Sequence, residues 1–552
     1  MNNDYNDYND YDVIVIGSGA GGLAAALPLA QAGLKVLVCE RHEVAGGWCH
    51  SFTLQGYRFS PGVHYLGDLQ PGGSLRQVYQ GLGVSQDLEF CELNPDGYDH
   101  IVVGEERFDI PKGKERFAER LKQRFPREAR GIEGYLNALP ALMHDLARLG
   151  RVRSVGSALA AAGPAASVLQ WSRRSGQDLI DHYVSDPVLK AILAGQSGDH
   201  GLPPSQVSAF IHAGVASHYL DGGYYPRGGG FAIPRAFVRG LKRAGGEIRL
   251  NTAVSRILLE GRRAVGVRLA DGAELRAPTV ISNADPEVTF GQLVGREHLS
   301  RGLRRKLDRV VYSGSALSLF FAVDMDLAAA GLDSGNFWFY DHADVDRLYR
   351  QGLTAAVLEA ETPPAMFLTV TTLKDPSKMH GGHHTCEAFT FVGYDAFKQW
   401  AGDAPGQRST DYLALKEDLS WRMIQGLERR VPGLSKHVVY WSLGTPLTNE
   451  HYINATAGNL YGIAKSRSQV GPGAFPIRTE IEGLLMVGAS TLSHGVAGVT
   501  ASGLAAARQV LHCRTADLLR MNGPELRIYP SEDPTQWPPH LQERIARGRV
   551  SS

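Results

Sequence analysis

The chain carries no net charge: 57 Lys and Arg balance 57 Asp and Glu over 552 residues. A basic face for nucleic acid is therefore not indicated. It has five cysteines, Cys39, Cys49, Cys91, Cys386 and Cys513, with no C-x-x-C spacing. That argues against a disulfide framework and for free thiols in a reducing, cytoplasmic setting. Cys39 reads as a core residue, and Cys49 reads as packing ahead of redox chemistry. No run approaches the ~20 apolar residues of a membrane-spanning helix. The opening M-N-N-D-Y-N-D-Y-N-D-Y has neither a basic start nor an apolar stretch. It reads as a disordered polar tail over residues 1–10 and not as a secretory leader. A metal site is not expected either. His380, His383 and His384 lie too close together in M-H-G-G-H-H-T to turn to one ion, and no acidic or cysteine partner stands at a recognisable spacing. That segment reads as a solvent loop between strands.

Glycine is plentiful, and its placement is informative. Tyr11 to Ile16 (Y-D-V-I-V-I) reads as a short buried strand, followed by G-S-G-A-G-G with Gly17, Gly19 and Gly22 at the G-x-G-x-x-G positions. The alanine-rich run to Gly33 reads as a helix with a local kink at Pro28, and K-V-L-V-C-E reads as a second strand. This is the unit that holds a dinucleotide: Gly17 for the tight turn, Gly19 for close approach of the pyrophosphate, Gly22 for helix–strand packing, and free N–H groups at the helix start for the phosphate charge. Glu40, 18 positions after Gly22, closes the second strand where a carboxylate can accept from a ribose.

The neighbouring residues favour flavin over nicotinamide. Gly46, Gly47 and Trp48 follow the second strand and can run beside the same pyrophosphate, with Arg41 near adenine or a phosphate. Far along the chain, E-G-L-L-M-V-G-A-S-T-L-S-H-G-V-A-G-V-T-A-S-G reads as a buried strand (Leu484 to Val487), a glycine-rich crossing and a helix from about Val499. A cofactor touched by both ends of the chain is long, so FAD is the cofactor expected. No second G-x-G-x-x-G unit is present for a standing nicotinamide site. Glu247 to Ile257 alternates as a strand, with Val254 the candidate amide for adenine, and Asp271-Gly272 marks a hairpin.

The flavin pieces lie at both ends and in the middle, so two interleaved domains are expected. Residues 11–69, 221–302 and 443–513 are assigned to a discontinuous FAD-binding domain. Residues 70–220 (mostly helical) and 303–442 (strands Ser315 to Asp324, Ala365 to Thr372 and Cys386 to Val392) are assigned to an α+β substrate domain. Residues 514–552 read as a loose C-terminal extension. Arg148 to Leu169 is apolar with a basic leading edge, and it is read as a peripheral membrane-contact segment or a core helix pair.

G-G-W-C-H-S-F, F-S-P-G-V-H-Y-L-G, Y-Y-P-R-G-G-G-F-A-I-P, V-I-S-N-A-D-P and the glycine-rich C-terminal segment together resemble the phytoene desaturase, carotenoid isomerase and retinol saturase superfamily of FAD oxidoreductases, from about Tyr11 to about Val510. P-G-V-H-Y-L-G, Y-Y-P-R-G-G and N-E-H-Y-I-N-A-T-A-G-N-L-Y-G are most similar to the retinol saturase branch. Where desaturases carry P-G-x-G-x-P-G, this chain has L-S-H-G-V-A-G. The resemblance implies an α/β fold with a Rossmann-type, glutathione-reductase-like and amine-oxidase-like FAD domain. It also implies flavin chemistry on a C=C bond of a long lipophilic polyene: saturation of a retinoid, or carotenoid isomerisation or desaturation. The electron donor is unknown. Asn283, Ala284, Gly488, Ala489, Gly495, Gly498, Val499 and Ala20 complete the expected cofactor contacts. A non-catalytic lipid carrier of the Rab GDP-dissociation-inhibitor type is the alternative from another class.

Adding hydrogen across a C=C bond needs a proton donor as well as a hydride. His64, Tyr65, Tyr225 and His494 are the catalytic candidates, with Tyr219, Asp221 and Tyr452 also considered. Arg227 is expected over the cofactor or at a polar end of the substrate.

Overall fold

The computed structural model describes residues 9–149, 162–404 and 406–549. Short strands of β-branched and aliphatic residues, buried along their whole length, build its centre: Val13–Ile16 and Val36–Cys39 have no exposed position. Strands buried on both faces belong in a parallel sheet covered by helices. Five parallel strands run in the order Leu484–Met486, Thr279–Ser282, Val13–Ile16, Val36–Cys39 and Glu247–Arg249. They come from three widely separated stretches of chain.

The fingerprint helix, Ala20–Gln31, is Gly, Ala and Leu nearly throughout, and residues Gly21 to Ala30 are buried. It lies between the sheet, the helix Ala232–Arg243 and the C-terminal helix Gly495–Val510. Pro28 falls in its last turn, and the helix runs on to Gln31, with the Ala32 N–H donating to the Pro28 carbonyl (3.1 Å). The C-terminal helix starts four residues before the expected Val499, because the glycines read as a crossing already form its first turn.

The expected strand Glu247 to Ile257 is two strands. Glu247–Arg249 joins the parallel sheet, and Val254–Glu260 joins an antiparallel sheet with Arg263–Leu269 and Glu274–Arg276. Asn251 separates them with a left-handed φ of 50°, which ends the alternation. Gly272 (φ 92°) turns the chain between the last two strands.

A second, seven-stranded sheet runs Val438–Gly444, Ser315–Val323, His384–Val392, Ala365–Val370, Asn336–Tyr340, Asp99–Val103 and Glu106–Ile110. Residues 70–220 thus supply two of its strands as well as helices such as Lys114–Arg124 and Ala129–Leu149. The C-terminal extension is docked and not loose. Arg527–Pro530 pairs with Glu89–Glu92, which pairs with Tyr224–Pro226, and Trp537, Leu541 and Ile545 are buried. Trp537, Leu541 and Ile545 recur every four residues, a helical spacing that was a usable signal for a docked segment. Most of the Arg148 to Leu169 segment lies outside the described residues. No described helix is long and apolar enough to cross a membrane.

Candidate active site

In an open α/β sheet a ligand binds beyond the carboxyl ends of the strands. Here four parallel strands end directly on a cleft of about 400 Å³: Gly17 follows Ile16, Glu40 follows Cys39, Asn283 follows Ser282, and Val487-Gly488 follows Met486. Gly17 (φ 90°) and Gly46 (φ 123°) have backbones that L side chains rarely adopt. A Cβ on Gly19 would stand 2.6 Å from the Asn283 amide, and one on Gly47 would stand 3.4 Å from the Gly19 Cα. Two bare glycine loops therefore face each other, as approach of a pyrophosphate requires.

Both helices that start here, at Ala20 and at Gly495, have no side-chain cap on their first N–H groups. Each offers donors and the positive end of a helix dipole to the cleft. These features fit a dinucleotide whose phosphates lie on the first helix and whose electron-rich ring edge meets the second.

Glu40 is buried, and its carboxylate joins the loops. It accepts from the Ser18 N–H (2.9 Å), the Ser18 hydroxyl (2.5 Å) and the His42 N–H (2.9 Å). Ser18 Oγ in turn accepts from the Gly46 N–H (3.0 Å). Ser18, buried behind the cleft, thus ties the first glycine loop to Glu40 and to Gly46, a role the glycine pattern does not reveal.

Of the expected cofactor residues, Gly17, Gly19, Ala20, Glu40, Arg41, Gly46, Gly47, Trp48, Val254, Asn283, Ala284, Gly488, Ala489, Gly495 and Val499 line the cleft. Gly22 and Gly498 do not. A Cβ on Gly22 would meet the Gly17 carbonyl at 2.2 Å, and one on Gly498 would meet Ser493 at 2.7 Å, so both serve backbone packing. Arg41 reaches across to the His451 carbonyl. Tyr452, 50% exposed, lies against His42 at the same end of the cleft, beside Arg41.

Two of the four catalytic candidates, His64 and His494, face the cleft, and two, Tyr65 and Tyr225, do not. Tyr65 is buried behind it, with its hydroxyl between Asp99 (3.0 Å) and Asp199 (2.7 Å) and its ring stacked on Tyr219 at 4.1 Å. Tyr225 is fully buried and accepts from the Lys378 ammonium (2.9 Å). His494 lines the cleft, but burial holds its ring neutral, with a pKa lowered to about 3. Its Nε2 pairs with the Asp199 carbonyl at 2.7 Å, so Nε2 carries the hydrogen and the ring has no acidic proton for a substrate.

Asp221 accepts from Gln70 at an exposed site, and Arg227 is paired with Glu89, so neither meets the cleft. Burial pushes the Cys49 thiol up to about 12, which removes it from redox chemistry near neutrality. His383 pairs with Tyr57 (2.7 Å), while His384 is not in a solvent loop: it opens a strand and pairs with Thr372 (2.9 Å). Among the described residues no group of three His, Cys, Asp or Glu is placed to hold a metal ion.

The far end of the cleft meets the seven-stranded sheet at Ala316, Ser318 and Phe389, with Leu460 and Tyr461 opposite. Ser318 and Phe389 are cross-strand neighbours. His64 sits at this end, its ring 5.1 Å from Phe367 and 5.8 Å from Phe389. Its Nδ1 is 3.0 Å from Glu387 Oε2. The strands Ser315 to Asp324, Ala365 to Thr372 and Cys386 to Val392 already suggest a sheet with one apolar face as a channel wall, but not Glu387, although an acid inside C-E-A-F-T-F-V, an otherwise apolar strand, was a usable signal.

A parallel dinucleotide sheet whose crevice draws on both ends of the chain, closed at one end by an aromatic sheet, defines a flavin-dependent oxidoreductase. The model of the flavin-containing amine oxidoreductase family matches residues 20–511, and the chain belongs to that family and uses FAD. It is similar to all-trans-retinol 13,14-reductase of Danio rerio, 30% identical over 91% of this chain and 86% of that one. It is also similar to chloroplastic prolycopene isomerase of Arabidopsis thaliana, 29% identical over 90% and 82%. An oxidoreductase of known structure from Methanosarcina mazei shares the fold, with a TM-score of 0.61 at 18% identity over 89% of this chain and 99% of that one.

Proposed function

We propose that the protein is an FAD-dependent reductase that saturates one C=C bond of a retinoid or a related long polyene. The observation that carries this reading is the 30% identity to all-trans-retinol 13,14-reductase over nearly the whole chain. A cleft ending on Phe389, Ala316 and Leu460 suits an apolar conjugated chain. Bound FAD supplies the hydride. The residues proposed to hold it are the glycine loops, Glu40, Arg41, Trp48, Val254, Asn283, Ala284 and the start of the C-terminal helix. The protein's own part is to orient the polyene, exclude water and deliver a proton to the second carbon. His64 is the proposed donor, because it faces the cleft with one ring nitrogen uncommitted.

Anaerobic incubation of pre-reduced enzyme with all-trans-retinol tests this by mass spectrometry. A product two hydrogens heavier is expected, and its absence overturns the reading. The likeness to prolycopene isomerase favours carotenoid isomerisation as the second reading. That reading requires unchanged mass and shifted absorbance from a poly-cis carotene. The substrate is proposed to arrive from a lipid surface. Flotation with liposomes, with and without residues 148–169, checks this, and equal flotation of the two forms rejects that segment as the contact.

A further inference from the structure

We infer that Glu387 is the positioning residue for His64 and that the two act as one proton-delivering pair, with Nδ1–H held on the carboxylate and Nε2 turned to the cleft. This rests on the reading of the reaction as C=C saturation.

Glu387 is 2% exposed in its side chain and lies on the strand His384–Val392, two residues from Phe389 and so on the same sheet face. Its Oε1 accepts from the Ser60 N–H (2.7 Å), which prevents the carboxylate from turning, and its Oε2 meets His64 Nδ1. The His64 backbone is gripped as well, since its carbonyl accepts from the buried Lys374 ammonium (2.7 Å), itself bonded to Asn336. Phe367 and Phe389 flank the ring. A histidine in this protein that serves only to tie segments together looks different. His100 engages both nitrogens, with Asp109 (2.6 Å) and Asp333 (2.8 Å), and His218 engages both, with Asp68 (3.1 Å) and the Gly67 N–H (2.9 Å). His64 engages one, and among the described residues its Nε2 has no protein partner although the residue lines the cleft.

When both ring nitrogens carry hydrogen, the Nε2 proton faces the cleft while the Nδ1–H is held on the Glu387 carboxylate. When bound, FAD would supply the hydride for one carbon. The π pair then forms the second C–H bond with the Nε2 proton, the N–H pair stays on the ring, and water restores the proton.

The test uses the FAD-loaded full chain. Glu387→Gln keeps the shape and removes the charge. The expected outcome is a fall of about 10- to 100-fold in kcat, with KM within about threefold. Glu387→Asp recovers part of the rate, and Glu387→Gln adds nothing further in a His64→Gln background. Nitrogen-15 NMR of labelled histidine, with the His64 signals identified by their loss in His64→Gln, reads the ring directly. For the neutral ring, the Nδ1–H tautomer alone is expected in the parent and a mixture of tautomers in Glu387→Gln. A Glu387→Gln protein with kcat within twofold of the parent, additive losses in the double variant, or an unchanged tautomer overturns the pairing. Should Glu387→Gln fail to fold, Glu387→Asp at full parental rate overturns it equally. If the parent enzyme yields no product two hydrogens heavier, the functional reading fails instead, and the NMR result still decides the pair.

Discussion

Tyr65 has one hydroxyl hydrogen and two carboxyl neighbours. Asp99 already accepts from Gln196 (2.7 Å), Asn336 (2.9 Å) and Trp338 (3.2 Å), so it is the ionised partner. Among the described residues the Asp199 side chain is bonded to Tyr65 alone, and burial, reinforced by the Asp99 charge, pushes its carboxyl up to about 8 from 3.8. It is therefore protonated at neutral pH. Between pH 4 and 8 the native state keeps a proton that the unfolded chain has released. Stability from this group is thus full at low pH and declines as pH rises through that window, by up to about 1.4 kcal/mol per unit. Lys374, lowered by burial from 10.5 to about 7, has the opposite sign: the unfolded chain holds the extra proton from pH 7 to 10.5, so stability rises there. Asp199→Asn removes the declining limb. Its urea midpoint should change less between pH 5 and pH 7 than the parent's, and an identical slope would place the proton elsewhere.

At the scale of elements, the contact between the fingerprint helix and the C-terminal helix depends on side chains that are missing. A Cβ on Gly503 would stand 2.2 Å from the Gly21 carbonyl and 2.8 Å from the Ala25 nitrogen. Both atoms are backbone, so neither can swing aside. Gly503→Ala should cost about 1–3 kcal/mol by overpacking and push apart the two helix starts that face the cleft. A lower melting temperature together with weaker FAD retention on gel filtration is expected, and full retention at the parental melting temperature would refute it. The small-residue composition of Ala20–Gln31 has the same origin, since that helix is covered on several sides and has no polar face to show.

At the scale of the whole molecule, the last forty residues hold parts together. Arg527–Pro530 is a sheet neighbour of Glu89–Glu92, and Trp537, 2% exposed, donates to the Pro530 carbonyl (2.7 Å) and packs on Tyr529. Trp537→Ala should cost about 3–5 kcal/mol by the size of the cavity it leaves. A loss below about 1 kcal/mol in denaturant unfolding would show the segment to be dispensable.

Local pattern alone determined the dinucleotide unit. Gly17, Gly19, Gly22 and Glu40 have their meaning within one strand–turn–helix–strand, where covalent spacing already sets the geometry. The glycine pair and the C-terminal crossing were legible for the same reason, and most of the residues expected at the cofactor line the cleft. Tertiary structure decided which of the candidate donors face the cleft. Tyr65 and His64 are adjacent in sequence, yet one is closed off between Asp99 and Asp199 while the other opens on the cleft. His64 owes its orientation to Glu387, which is 323 positions away. Proton donation depends on burial, partner charge and free lone pairs, and these arise only when distant strands are brought within a few ångströms of one another.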